Sequence, residues 1–186
     1  MRRPVRPLVL LDRDGVLNRF PGRGIYVTRL SQCRLIPGSA EAVAMLTKAG
    51  YEIHVISNQG CVSRGLLTRK GLLAITRALN ALIRRKGGRI RRFHYCTHQS
   101  SDRCACKKPS TLLLETAAGD KKRLKRAFFI GDSEEDMSAG AAAGCTTVLV
   151  LSGRLKRRDA AGLPDPPDAV KKNLLDAVKW ILQKKS

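Results

Sequence analysis

Leu8-Val9-Leu10-Leu11-Asp12-Arg13-Asp14-Gly15-Val16-Leu17-Asn18 joins an apolar run of strand length to two carboxylates, one residue apart, and then a glycine. Two acids at the end of a buried strand are costly unless a cation or a phosphate-handling site uses them. The spacing suits chemistry, because one carboxylate can attack a substrate while the second moves a proton. A Mg²⁺ ion held between them would neutralise the pair and orient a phosphate. The same residues also read as an ordinary strand end closed by an Asp-Gly turn. This stretch alone does not separate the two readings.

Two further strands weigh on the choice. Tyr51-Glu52-Ile53-His54-Val55-Ile56 runs into Ser57-Asn58-Gln59-Gly60, and Ala127-Phe128-Phe129-Ile130 runs into Gly131-Asp132-Ser133-Glu134-Glu135-Asp136. Between them stands Lys107-Lys108-Pro109. Polar groups at the carboxyl ends of parallel strands are where open α/β sheets bind ligands. Acid pair, hydroxyl, lysine and acid, in that order, resemble the haloacid dehalogenase superfamily of phosphatases. Its four motifs fall on Asp12 and Asp14, Ser57, Lys108, and Asp132. The resemblance implies phosphomonoester hydrolysis through an aspartyl-phosphate, with Asp12 the nucleophile and Asp14 the general acid and base. It also implies Mg²⁺ bound by Asp12, the Asp14 carbonyl and Asp132, with Ser57 and Lys108 on the phosphoryl oxygens. Asn58, Gln59, Gly60, Arg64 and Lys107 are the expected substrate-binding residues. Asp136 either supports the metal or caps the alanine-rich helix that follows, and capping is the favoured role.

Cys96-Thr97-His98 and Cys104-Ala105-Cys106 place three thiols and an imidazole in one short window. That donor set suits a tetrahedral Zn²⁺ with no position left open, so Cys96, His98, Cys104 and Cys106 predict a structural site. The loop has little apolar material of its own, and a metal would supply its order. Ordering it would also fix Lys107 and Lys108, which follow at once. His94 is a weaker ligand candidate, because its alternation with Tyr95 suggests a strand.

A four-motif phosphatase with Cys-x-His and Cys-x-Cys just before Lys-Pro is similar to the histidinol-phosphate and heptose-bisphosphate phosphatase branch. Tyr26-Val27, Pro37-Gly38, Ser57 to Gly60 with Arg64-Gly65, and Gly131-Asp132 through Met137 lie closer to the D-glycero-D-manno-heptose 1,7-bisphosphate 7-phosphatase pattern. Histidinol phosphate is the alternative substrate. Three departures bear on substrate choice. Lys107 stands where the family usually has Arg, which weakens bidentate phosphate recognition. Ser133 stands where it often has Lys. The loop from Arg19 to Arg23 is longer and more basic.

The chain has 186 residues, 43% of them hydrophobic, which suits one domain over 1–186 with a real core. No apolar run approaches the roughly 20 residues of a membrane helix. The basic start, Met1 to Pro7, leads into a short apolar run that ends in Asp12 and is no secretory signal. A cytoplasmic, monomeric enzyme is expected. Six cysteines in such a chain are no disulfide framework. Cys33, Cys61 and Cys145 read as buried small hydrophobes, with Cys61 near enough to the site to ask whether it is reactive.

The net charge of +21 is high for an enzyme of small metabolites. Arg and Lys cluster at 84–92, 121–126 and 154–158. A solvated basic surface is the favoured reading, with a nucleic-acid surface as the rival. Aromatic residues are only 4% of the chain, which leaves little for base stacking. A basic, zinc-stabilised binding module with a vestigial phosphatase site is a third reading, and the complete set of motif residues argues against it.

The apolar period alternates between strand and helix. Strands are expected near 8–12, 52–57, 92–95, 127–131 and 147–151. Helices are expected from 39 to 48, capped by Ser39, then at 68–85, 111–118, 136–143 and 173–183, with 154–168 a loop. This βα alternation predicts a Rossmann-like α/β fold, a parallel sheet with helices on both faces.

Overall fold

The structure is a computed structural model and describes residues 6–184; the basic start at Met1 to Val5 lies outside the described residues. Six strands form one parallel sheet: β1 (Leu8–Leu11), β2 (Glu52–Asn58), β3 (Arg92–Cys96), β4 (Phe128–Gly131), β5 (Thr146–Val150) and β6 (Ala169–Lys171). Their order is β3-β2-β1-β4-β5-β6. All four residues of β1 are buried because β1 is central, with Leu10 opposite His54 of β2 and Phe129 of β4. A strand covered on both faces needs no polar alternation, hence the unbroken aliphatic run.

Alternate residues of the strands feed two cores. Val9, Leu11, Ile53, Val55 and Val148 meet helices α1 (Ser39–Lys48), α2 (Arg69–Arg85) and α6 (Leu174–Gln183) on one face. Leu8, Leu10, Ile56 and Phe129 meet α3 (Leu112–Ala118), α4 (Lys121–Leu124) and α5 (Glu134–Ala142) on the other. Helix α2 buries Leu72, Ile75, Leu79 and Ile83, a stripe at three- and four-residue spacing, while Leu73 and Leu82 lie in solvent. His54 and His94 stack within the sheet's covered face, with Nδ1 and Nε2 2.9 Å apart. Burial pushes His94 down to about 4, and it packs on His54, outside the Cys96–His98–Cys104–Cys106 cluster.

The structure corrects several expectations. Strand β6 falls just past the expected loop; it has only three residues, all half-buried, and so carries no readable period. Helix α4 is a single turn that buries only Leu124 and reads as charge. Ser39 does not cap α1. Gly38 holds the cap position at φ +85°, and the buried Ser39 hydroxyl instead donates to the carbonyl of Leu17 at 2.8 Å. Helix α5 starts at Glu134 behind a Ser133 cap, two residues before the expected start. No described helix is long and apolar enough to cross a membrane.

Candidate active site

The strand order reverses direction between β1 and β4, and the crevice outside the carboxyl ends of those two strands is the expected ligand site of such a sheet. Asp12 follows β1 and Asp132 follows β4. Asp136 turns in from the first turn of α5. One carboxylate oxygen from each of the three lies within 4.8 Å of the others, and all three residues are buried. Lys108 reaches the cluster from the segment after the cysteines, with its Nζ 2.7 Å from Asp12 Oδ1, 2.5 Å from Asp136 Oδ1 and 2.9 Å from the Ile56 carbonyl. Against the cost of burial, Asp12 and Asp136 hold this ammonium above its usual range.

One lysine does not balance three acids. Desolvation pushes Asp12 up to about 6 against the pull of Lys108, helped by Asp136 and Asp14. Desolvation and the charges of Asp12 and Asp136 push Asp132 up to about 8. At neutral pH the cluster therefore retains a proton that a divalent cation would displace.

The three acids are not equivalent. Asp136 Oδ2 accepts from the backbone N–H of Asp132 and Ser133 and from the Ser133 hydroxyl, at 3.1, 3.2 and 2.7 Å. With Oδ1 on Lys108, both its oxygens are committed, so Asp136 closes the capping box behind the Ser133 cap of α5 and anchors the lysine at once. Among the described residues, Asp12 Oδ2 and Asp132 Oδ1 have no such partner; Asp132 Oδ2 accepts from the Arg154 N–H at 2.8 Å. Two free oxygens from hard donors suit Mg²⁺, which takes few protein ligands. The fit around Asp132 is close. A Cβ at Gly15, which has φ +92°, or at Gly153 would collide with its carboxyl group.

The Asp14 carboxylate stands apart from this cluster. Arg13 donates to it through Nη2 at 2.8 Å and Nε at 3.1 Å, Asn18 through Nδ2 at 2.7 Å and Gln59 through Nε2 at 2.9 Å. Although burial opposes it, the Arg13 guanidinium leads these groups in holding Asp14 below the usual carboxylate range. Arg13 itself is fully buried, so the residue between the two acids is part of the site.

The cleft is lined by Asp12, Asp14, Ser57, Asn58, Lys108 and Asp132, and also by Ser133, Glu135, Asp136 and Arg154. Asn58 clamps the Lys108 backbone from both sides, with Nδ2 on its carbonyl and Oδ1 on its N–H. The other expected substrate-binding residues do not line the cleft. Gln59 is buried and holds Asp14 and the Ser57 hydroxyl. Gly60 packs against the backbone of His98. Arg64 lies over the Tyr26 ring, and Lys107 donates to Ser100. Cys61 is buried and desolvation pushes its thiol up, the opposite of an activated nucleophile. Sequence reasoning missed Arg154, whose side chain crosses the Phe20 ring at the mouth of the cleft. Its signal was its place just after β5, beside the switch point.

Cys96, His98, Cys104 and Cys106 converge beside the cleft. Their Sγ atoms are 3.2 to 3.6 Å apart, and His98 Nδ1 lies 3.3 and 3.7 Å from Cys106 and Cys96. A tetrahedron with Zn–S bonds of about 2.3 Å has edges of roughly 3.8 Å, so the set is close to the size zinc requires. Desolvation opposes ionisation of Cys104, yet the Cys106 N–H and the neighbouring sulfurs bring it down to about 7. The loop is tied to the end of β2, where Gln59 N–H donates to the Cys96 carbonyl at 2.6 Å.

Comparison with known proteins agrees with this geometry. A family model described as HAD-hydrolase-like matches residues 105–177. A Pseudomonas putida protein named D-glycero-beta-D-manno-heptose-1,7-bisphosphate 7-phosphatase is 36% identical over 85% of this chain and 90% of its own length. A Neisseria meningitidis protein of the same name is 33% identical over 95% of both chains. The crystal structure of D,D-heptose 1,7-bisphosphate phosphatase from B. bronchiseptica, complexed with magnesium and phosphate, superposes with a TM-score of 0.86 at 32% identity, covering 96% of this chain and 99% of that one. With the switch-point acids, the bridging lysine and likeness along nearly its whole length, this chain belongs to the heptose-bisphosphate phosphatase family of haloacid-dehalogenase-like hydrolases.

Proposed function

We propose that the protein removes the 7-phosphate of D-glycero-D-manno-heptose 1,7-bisphosphate through an aspartyl-phosphate on Asp12. The observation that carries this reading is the Asp12–Lys108–Asp136 bridge beside Asp132 at the switch point. Asp12 attacks phosphorus in line with the leaving alcohol. Lys108 holds the Asp12 carboxylate in place and meets the equatorial oxygens, with the Ser57 hydroxyl beside it. Asp12 and Asp132, with the Asp14 carbonyl, would hold Mg²⁺, which would supply the positive charge that screens a carboxylate from a phosphate dianion. Asp136 is a positioning residue for Lys108.

Asp14 protonates the leaving alcohol and then deprotonates the water that cleaves the phosphoenzyme. Its resting, ionised state suits the second step. For the first it must carry a proton, which requires Arg13 to release it. Cys96, His98, Cys104 and Cys106 would hold Zn²⁺, which would order the segment that delivers Lys108. Arg154 faces the outer part of the substrate, where its charge meets the anionic sugar phosphate.

A panel of phosphate esters assayed with Mg²⁺ tests the reading. The heptose 1,7-bisphosphate should give the highest kcat/KM, with release of the 7-phosphate. A higher value for histidinol phosphate, or for 5′-phosphorylated oligonucleotides, would reassign the substrate.

A further inference from the structure

A second concave feature lies at the other end of the sheet from the acids. A cavity of about 950 Å³ opens at the amino-terminal ends of β1, β2 and β3. Glu52 begins β2 there and Ser57 nearly ends it at the active site, so the two places are separated by about 17 Å of strand. Five arginines line the cavity: Arg6, Arg84, Arg89, Arg91 and Arg123. Glu52 is the one acid on its wall, and it is already shared between Arg123 at 3.3 Å and His54 at 3.0 Å. Five cations less one anion leave a net charge of four on the walls. No described carboxylate pairs with Arg6, Arg84, Arg89 or Arg91.

The walls are built rather than incidental. The Arg89 N–H donates to the Thr47 hydroxyl at 2.9 Å and the Arg91 N–H to the Ile53 carbonyl at 2.7 Å, which fixes the segment between α2 and β3. Arg123 is oriented by the Ala118 carbonyl at 2.9 Å, yet its Nε is buried with no partner. Asn80 Oδ1 is likewise buried without one. Four arginines without a carboxylate partner on one concave wall ask for an anion, and the Asn80 amide beside them can bond its organic part. Tyr51 and Ile90 supply apolar wall. The volume is that of a site for an organic molecule of cofactor size.

We infer that this cavity is a second ligand site, separate from the acid cluster, which binds a small organic polyphosphate such as a nucleoside di- or triphosphate. The arginines engage its phosphates and Asn80 a hydroxyl or amine. The concave shape and the shortage of aromatic residues disfavour a nucleic-acid strand.

Calorimetric titration of the full chain tests this in EDTA at about 0.15 M salt, where the three carboxylates of the active site repel phosphates. The probes are inorganic tripolyphosphate, ATP and a short single-stranded DNA. Arg84→Ala and Arg89→Ala, both exposed and far from the acids, should each weaken ATP and tripolyphosphate about tenfold. Arg157→Ala and Arg158→Ala remove the same charge elsewhere and should change affinity less than about twofold. ATP binding more tightly than tripolyphosphate assigns a role to the Asn80 side of the cavity. The inference fails if neither anion binds, if both pairs of variants weaken binding equally, or if the DNA binds more tightly than ATP.

Discussion

Asp132→Asn should make the metal-free protein more stable at neutral pH while removing its activity. Burial, Asp12 and Asp136 hold the Asp132 carboxyl at about 8 against an ordinary 3.8. Between those values the folded chain keeps a proton that the unfolded chain has released. Stability must then fall as pH rises through that window, by up to about 1.4 kcal/mol per pH unit. From pH 5 to pH 8 the loss is on the order of 4 kcal/mol, or about 10 °C in Tm for a chain of this size. The amide keeps an acceptor for the Arg154 N–H and carries no proton to lose, so the variant should lack this slope. Thermal melts of both proteins in EDTA across that range read the difference directly, with titration of groups outside the acid cluster cancelling between them. Saturating Mg²⁺ should flatten the wild-type curve, because the cation takes the proton's place, and leave the variant unmoved. Parallel pH curves for the two proteins in EDTA would refute the crowded-carboxylate account of this site.

Further outcomes follow from the geometry. Asp12→Asn should abolish turnover and phosphoenzyme formation while the fold survives, and Asp14→Asn should cost about 10²–10⁴ in rate; stopped-flow trapping of labelled phosphoenzyme checks the first and steady-state kinetics the second. The purified protein should hold about one zinc per chain by elemental analysis. Stripping that zinc with a strong chelator should lower both Tm and kcat, and Mg²⁺ alone should not restore them. Gly153→Ala should lose most activity with a smaller change in far-UV CD, since the new methyl group collides with the Asp132 carboxyl; unchanged Mg²⁺ affinity in this variant would show that the close approach is unimportant.

What could be read from the sequence depended on whether a residue's role is local. The run Leu8 to Leu11 announces a strand buried on both faces without reference to anything else. Asp12, Asp132 and Lys108 announce themselves by lying at strand ends or beside the cysteines. Arg154 did not, because in one dimension it belongs to a basic cluster and only the alignment of β4 with β5 brings it to the cleft. Gln59 reads as a substrate ligand by its neighbourhood, yet the turn after β2 points its amide at Asp14. Asp136 had two competing readings from sequence, a helix cap or a support for the metal. One of its oxygens takes the amides just before α5 and the other takes Lys108, a partner that no local pattern names. The second cavity was not legible either, since Arg6, the arginines of 84–91 and Arg123 come from three separate stretches.

The central place of β1 has a consequence for how the protein is made. Its partners are β2 on one side and β4 on the other, so the strand that leaves the ribosome first remains half-paired until residues 128–131 arrive. At about 5–20 residues per second, some 120 residues of synthesis separate Asp12 from Asp132, a delay of roughly 6 to 24 seconds. Through that interval the nascent chain carries an aliphatic segment with an open edge and an acid pair without its counterpart. It can neither close the sheet nor assemble the phosphate site. The period before translation ends, rather than the finished enzyme, is when a chaperone has most to protect.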